Sequence, residues 1–409
     1  MRLFKLAFGL IYRHMLLHAA LIIQMTAVFL ILANIVSTIC LNLYSGNMMK
    51  NIFTQDFYRL EVLTERFLRV STGGMTDISE IEAFDPEKVR GELKGDPVFC
   101  NEYVYPAFFA DGRCLDLIFQ DERLIKNTNF LLRGTANIEA SEKEEGVIRI
   151  ITAGGNYKTG DSLRGYIEVE DKTVECEFKV AGTLKKPYSY LSATNSAVSL
   201  SASVIAEELM PGQAIAFLDD MPDVTLKSAN DYSGFCIYHV FFDDSLTSKE
   251  KAGNLATLQK YGSVTSAKEI EENTKKEISI WLEKKLPSLI FAAVIAVSGL
   301  SAVSLINISG NMNTFSLYCL SGCTKKRLYA IILVYILFIV SVSFIPAIGV
   351  LLISGFFRRL AAAFVFINHY TFITLGITAL TLILIPVLFS LFAFRRKPLR
   401  AMILDYKKQ

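Results

Sequence analysis

Reactive side chains are few in this sequence, and their spacings limit what chemistry they can do. Gly160-Asp161-Ser162-Leu163 spells the serine signature of one hydrolase group, but it lacks the N-terminal placement that group requires and no Asp-x-x-His block accompanies it. The four residues read instead as the approach to a strand. Gly155 to Gly160 has the glycine spacing of a phosphate loop, yet Asp161 stands where the lysine must be. A carboxylate there would repel the β- and γ-phosphates, so no nucleotide is expected. His14 and His18 have the i, i+4 spacing of a helical metal pair but no third ligand nearby, which leaves interfacial packing. Cys319 and Cys323 also lack His or carboxylate company. His239 is alone between residues 50 and 285, too little for a histidine-based catalytic site. The chain is expected to hold no catalytic, cofactor or metal site, and to hydrolyse no ATP through a phosphate loop of its own.

The elements that carry these residues belong to two solvent regimes. Hydrophobic residues make up 52% of the 409 and charged residues 20%, which argues against an ordinary soluble chain. Residues 50–285 hold 28 basic and 39 acidic side chains, while the rest holds 14 basic ones and the single acid Asp405. Four stretches, 15–49, 286–324, 328–357 and 360–394, contain no Asp, Glu, Lys or Arg. Each exceeds the roughly 20 residues needed to span a bilayer. The first is too long for the apolar region of a signal peptide and no small-x-small cleavage site follows it, so an uncleaved span is expected.

Basic residues set the orientation. Arg2, Lys5 and Arg13 precede span 1, Lys325 to Arg327 lie between spans 2 and 3, and six more cations follow span 4. Only Arg358 and Arg359 separate spans 3 and 4. Both termini are therefore expected in the cytoplasm and residues 50–285 outside. Without acids or lysines inside the spans, carriage of charged substrates through them is disfavoured. His369 reads as a packing contact between helices. Ala292, Ala296, Gly299 and Ala302 give span 2 a stripe of small residues suited to helix packing.

The charge-rich region reads as mixed α and β. Val174, Cys176, Phe178 and Val180 alternate with charged residues as a half-buried strand, paired with Ile167 and Val169 through a turn at Asp171-Lys172. Further strands are expected at Val98–Tyr105, Leu115–Phe119, Val147–Thr152, Ala214–Leu218 and Phe235–Phe242, and helices near Ser79–Leu93 and Lys249–Tyr261. Ser266 and Glu269 match a capping box, after which Ile270, Thr274, Ile278 and Trp281 recur at helical spacing into span 2, past Pro287. A stalk from domain to membrane is the mechanical implication. Cys100, Cys114, Cys176 and Cys236 of this region are compatible with a disulfide or with buried thiols.

This layout, together with three motifs, resembles the MacB/FtsX-like permeases of the macrolide-exporter class of ABC transporters. Tyr157 to Leu163 followed by Phe178 to Leu184 is similar to that family's Y-x-x-G-D-x-I and V-x-G-x-L segments. Leu317 to Leu328 resembles its coupling helix and turn, and Arg396 to Ala401 its C-terminal P-x-x-A-L-R. The coupling segment departs from the family at Asn313 and Thr314, where Arg and Glu are usual, and no ATPase domain is fused.

The resemblance implies a membrane α-helical fold with four transmembrane helices and a large extracytoplasmic α+β domain between helices 1 and 2. Residues 1–49 would form the N-terminal helix and first span, 50–285 the external core domain with its stalk, 286–394 the permease domain, and 395–409 a basic cytoplasmic tail. It also implies a non-catalytic subunit that partners a cytoplasmic ABC ATPase, a second permease chain and membrane lipid, with no nucleic acid. Leu317 and Leu320 at i, i+3 would form a short apolar ridge, shown together with Tyr318 to the ATPase, and Gly322 would end the helix. Lys325 and Lys326 would meet headgroups or acidic groups on the ATPase. Mechanotransmission for export of amphiphilic peptides, antibiotics or lipidated cargo is the leading expectation. Activation of a cell-wall hydrolase, or a membrane-anchored sensor without transport, are the alternatives.

Overall fold

A computed structural model describes residues 12, 15–63, 84–133, 143–153, 157–169, 172–185, 187–193, 200–210, 212–221, 235–242, 246–310, 312–356 and 369–396. The chain divides into two compact units, Leu41–Ile278 and a helical unit formed by residues 1–40 and 279–409. Arg2, Lys5, Arg13, His14, Asp171, Arg358, Arg359 and the C-terminal tail motif past Arg396 lie outside the described residues, as do Gly155 and Asn156 of the Gly155–Gly160 segment.

Helix α1 (Met15–Met48) opens the described chain, and α2 (Lys50–Phe53) follows it. Strand β1 (Phe57–Leu63), helix α3 (Pro86–Glu92) and strands β2 (Val98–Cys100), β3 (Glu102–Phe109) and β4 (Cys114–Gln120) come next. The single strand expected over 98–105 is two strands broken at Asn101, because β2 and β3 enter different sheets. After α4 (Glu122–Asn127) come β5 (Val147–Thr152), β6 (Ser162–Val169), β7 (Lys172–Thr183) and β8 (Ser189–Leu191). Val169 pairs with Lys172, so Lys172 belongs to the strand and not to the turn in which the sequence suggested it. Then follow α5 (Ala202–Ile205), β9 (Ala206–Glu208), β10 (Gln213–Phe217), β11 (Phe235–Phe241), α6 (Ser248–Leu258) and β12 (Ser263–Ser266).

Strands β10, β4, β3, β6, β7 and β5 close into a barrel. Alternation places Leu117, Phe119, Ile148, Ile150, Phe178 and Val180 in its core, and the Val174–Val180 face read from the sequence points into it. Gly165 sits where β6 crosses β3, and a Cβ there would come within 2.4 Å of the Phe108 carbonyl oxygen. Outside the barrel wall, Arg149 of β5 is clasped by Asp220, with Nε–Oδ2 at 2.7 Å and Nη2–Oδ1 at 2.8 Å. Burial of such a charge is tolerable because both guanidinium edges and the carboxylate are paired.

The second sheet runs β12-β1-β11-β2, antiparallel throughout. Tyr58, Leu60 and Val240 on one face pack with Val89 of α3 and Leu258 of α6. Phe57 and Phe241 on the other face join Ile52 of α2. That second face also buries two polar side chains, Arg59 and His239, directly opposite one another in the β1–β11 register. Cys100, Cys114, Cys176 and Cys236 form no disulfide among the described residues.

Helix α7 (Ala267–Gly310) starts as expected, with the Glu269 amide donating to Ser266 Oγ at 3.2 Å. It runs through Pro287 without interruption. Its first turns are held within the Leu41–Ile278 unit. Ser201 Oγ and Ser203 Oγ donate to Glu277 Oε2 at 2.5 and 2.8 Å, and the Ala202 amide donates to Thr274 Oγ1 at 2.8 Å. Helices α8 (Met312–Leu320), α9 (Lys325–Phe356) and α10 (His369–Arg396) complete the chain. Among the described residues four helices, α1, α7, α9 and α10, are long and apolar enough to cross a membrane.

Candidate functional site

The segment joining α8 to α9 is built by its sequence to be a short helix, a sharp stop and a restart. Gly322 has φ +86°, a conformation that costs a side-chain-bearing residue strain but glycine nothing. With the glycine in that state, the Cys323 amide folds back to donate to the Tyr318 carbonyl at 2.8 Å, and the Ser321 amide donates to Leu317 O at 2.9 Å. This is the glycine-terminated cap that satisfies the last carbonyls of a helix. The Arg327 and Leu328 amides then donate to the Thr324 carbonyl at 3.0 and 3.3 Å, starting α9 within five residues of the end of α8.

Two faces result. Phe315 and Leu328 are buried in the helical core, and Tyr318 and Cys323 pack against it. Leu317 and Leu320 point away, 43% and 56% exposed, with Lys326 and Arg327 exposed beside them in sequence. Tyr318 therefore does not face outward with the ridge, where the sequence placed it. At 100° per residue it is a quarter turn from Leu317, whereas Leu320 returns to within 60° of it. Cys323, weighed in the sequence only as a metal ligand, serves here as a turn residue, and its signal is the glycine just before it. The side chains of Lys325, Cys319 and Asn313 lie outside the described residues.

The small-residue stripe is divided in the same way. Ala296 is fully buried, Ala292 packs against the same core, and Gly299 faces Leu21 and Gln24 of α1. A Cβ on Gly299 would meet Gln24 Oε1 at 3.5 Å and Leu21 Cδ1 at 3.6 Å, ordinary van der Waals contacts. Ala302 is exposed, because six residues beyond Ala296 the helix has turned about 240° away. His18 packs inside the helical unit, with Nε2 2.8 Å from Tyr335 Oη. His369 is exposed at the start of α10, its ring tilted against that of its neighbour Tyr370 with centroids 3.9 Å apart.

Gly160 to Leu163 forms the expected approach to β6. Gly160 turns at φ +93°, and Asp161 Oδ2 accepts the Lys158 amide at 2.8 Å, which fixes the loop. Ser162 opens the strand, exposed. Among the described residues no group of three or more His, Cys, Asp or Glu side chains could hold a metal ion.

No family model matches the chain, and no curated protein does. A solved domain described as that of a permease protein from Porphyromonas gingivalis is similar at TM-score 0.26 and 10% identity, over 50% of this chain and 84% of that domain.

Proposed function

We propose that this chain is the permease subunit of an ABC transporter working by mechanotransmission, with a separate cytoplasmic ATPase docking on the α8–α9 turn. The observation that carries the reading is the pair Leu317 and Leu320, left exposed on a rigidly capped turn between two helices long enough to span a membrane. A solvated loop has no reason to hold two leucines outward while its aromatic residues pack inward. The placement of basic residues supports a cytoplasmic position for this turn, the side on which an ATPase would dock.

The mechanical half of the reading rests on α7. One unbroken helix carries residues of both compact units, and Ser201, Ser203 and the Ala202 amide grip it at Glu277 and Thr274. Movement of the helix would reach the α/β domain through those bonds. ATP would be hydrolysed on the partner chain, and the load would be handled outside, since the spans offer no charged path. Amphiphilic peptides, antibiotics or lipidated molecules suit such an exporter. Two ATPases need two docking turns, so a second permease chain completes the assembly.

The test is Leu317→Asp and Leu320→Asp in the full-length chain. Both should insert and fold normally yet lose the co-purifying ATPase and its vanadate-sensitive hydrolysis, because a carboxylate buried unpaired in an interface costs several kcal/mol. Retention of that hydrolysis by both variants would overturn the docking assignment. Cysteine labelling tests the topology separately: position 171 should react from outside and position 325 should not.

A further inference from the structure

Three consecutive backbone groups in residues 191–193 are held by side chains from three different strands. Gln120 Nε2, at the end of β4, donates to the Leu191 carbonyl at 2.6 Å. Arg59 Nη1 from β1 donates to the Ser192 carbonyl at 3.1 Å. The Ala193 amide donates to Glu102 Oε2, at the start of β3, at 3.0 Å. Strand β1 belongs to the four-stranded sheet, β3 and β4 to the barrel. Residues 191–193 are thus a strap fastened to both.

The fasteners also touch one another. Gln120 Nε2 lies 3.4 Å from Glu102 Oε2, and Arg59 Nη1 lies 3.4 Å from His239 Nε2. Arg59, Glu102, Gln120 and His239 are each 1% exposed. The Glu102 carboxyl interacts with Arg59 of β1 and with Tyr190 and Glu207 of β8 and β9, while Glu61 of β1 and His239 of β11 neighbour Arg59. Tyr190 Oη donates to Glu207 Oε2 at 2.9 Å. One guanidinium therefore serves as many as three carboxylates, and His239 adds no charge, since burial and then the neighbouring Arg59 hold its pKa well below the usual value.

We propose that Glu102 is a proton-operated fastener: with its carboxyl neutral the joint stays dry and closed, and loss of the proton loosens residues 191–193 from sheet and barrel together. The charge count gives the direction. With Glu102 neutral, Arg59 is balanced by the carboxylates already near it. Ionised, Glu102 places a further negative charge in a joint closed to water, where Glu207 repels it, and hydration of the joint is the relief. Those same two effects, burial first, raise the Glu102 pKa to about 7 against the opposing pull of the Ala193 amide, Gln120 and Arg59. The joint does not depend on the proposed transport function. Only the compartment whose pH it reads depends on the proposed topology.

Hydrogen–deuterium exchange on the full-length chain in detergent micelles, at pH 6 and pH 8 and corrected for intrinsic rates, tests this. The peptide covering 188–193 should lose about tenfold in protection, because the neutral fraction of a group titrating near 7 falls by about that factor. Peptides from the barrel core over 115–119 should not change. Glu102→Gln should keep the strap protected at both pH values. A flat wild-type profile, or a loss that persists in Glu102→Gln, overturns the proposal. Should that variant not fold, Glu207→Gln decides: removal of the neighbouring carboxylate must lower the midpoint of the wild-type transition, and an unmoved midpoint refutes the assignment.

Discussion

The Cys323 amide reaches back across Gly322 to the Tyr318 carbonyl at 2.8 Å, and this bond ends α8 with Tyr318 held inward. Nothing within 4 Å crowds Gly322, so a substitution there is penalised by backbone conformation alone. Gly322→Ala should destabilise the chain by about 1–2 kcal/mol, the cost of a left-handed residue with a Cβ. A lower melting temperature, with weaker ATPase retention than the neighbouring Ser321→Ala variant, is the expected result. Equal behaviour of the two variants would show that the cap does not set the turn.

Asp220 is the better place to probe the barrel wall. Its carboxylate takes the Arg149 backbone amide as well as the guanidinium, and Glu122 Oε1 adds a partner to Arg149 at 3.2 Å. Asp220→Ala strips the buried guanidinium of its bidentate carboxylate partner. A loss of about 3–5 kcal/mol is expected, read as a fall in unfolding midpoint. Glu122→Ala should cost far less, since that carboxylate is partly solvated.

Which of these features the sequence reveals follows from how local their cause is. The alternation through Val174, Cys176, Phe178 and Val180 is a strand by period, the β-branched-rich stretch 147–152 one by composition, and both are found. β1 carries the same alternation, Tyr58, Leu60 and Val62 against Arg59 and Glu61, but the burial of Arg59 on its polar face is not legible from that period. Barrel closure depends on the parallel pairing of β10 with β4, about a hundred residues apart, which no short window records. In the α8–α9 turn the glycine stop and the Leu317–Leu320 spacing are legible. The inward turn of Tyr318 is not, since it depends on what the helix packs against. The Arg59–His239–Glu102 joint is the least visible of all. In a strand pattern each ionisable residue reads as solvent-facing until a third element covers it.

Glycine substitutions offer a two-signed check of the barrel. At Gly165 the obstruction is backbone, the Phe108 carbonyl oxygen at 2.4 Å, so the strands themselves must shift. Gly165→Ala should cost at least about 1–3 kcal/mol, the range for overpacking. Gly91, in α3, has open space around it. Gly91→Ala should stabilise by about 0.5–1 kcal/mol through helix propensity. Melting temperatures moving in the same direction for both would contradict the described crossing of β3 and β6.

The pH dependence of stability has two arms with opposite signs. Glu102 is raised from 4.5 to about 7 in the folded chain, chiefly by burial. Its contribution is fully present below about 4.5 and is lost as the pH rises through about 7, on the order of 3 kcal/mol in all. His239 is lowered well below 6.5, by burial and then by Arg59, so its contribution is present above 6.5 and is lost as the pH falls through the folded value. The unfolding midpoint of the full-length chain in micelles should therefore peak on the acid side of neutrality. Glu102→Gln should flatten the alkaline arm alone, and His239→Asn the acid arm alone. If Glu102→Gln leaves the fall between pH 5 and 8 intact, the buried carboxyl is not what the folded state protects.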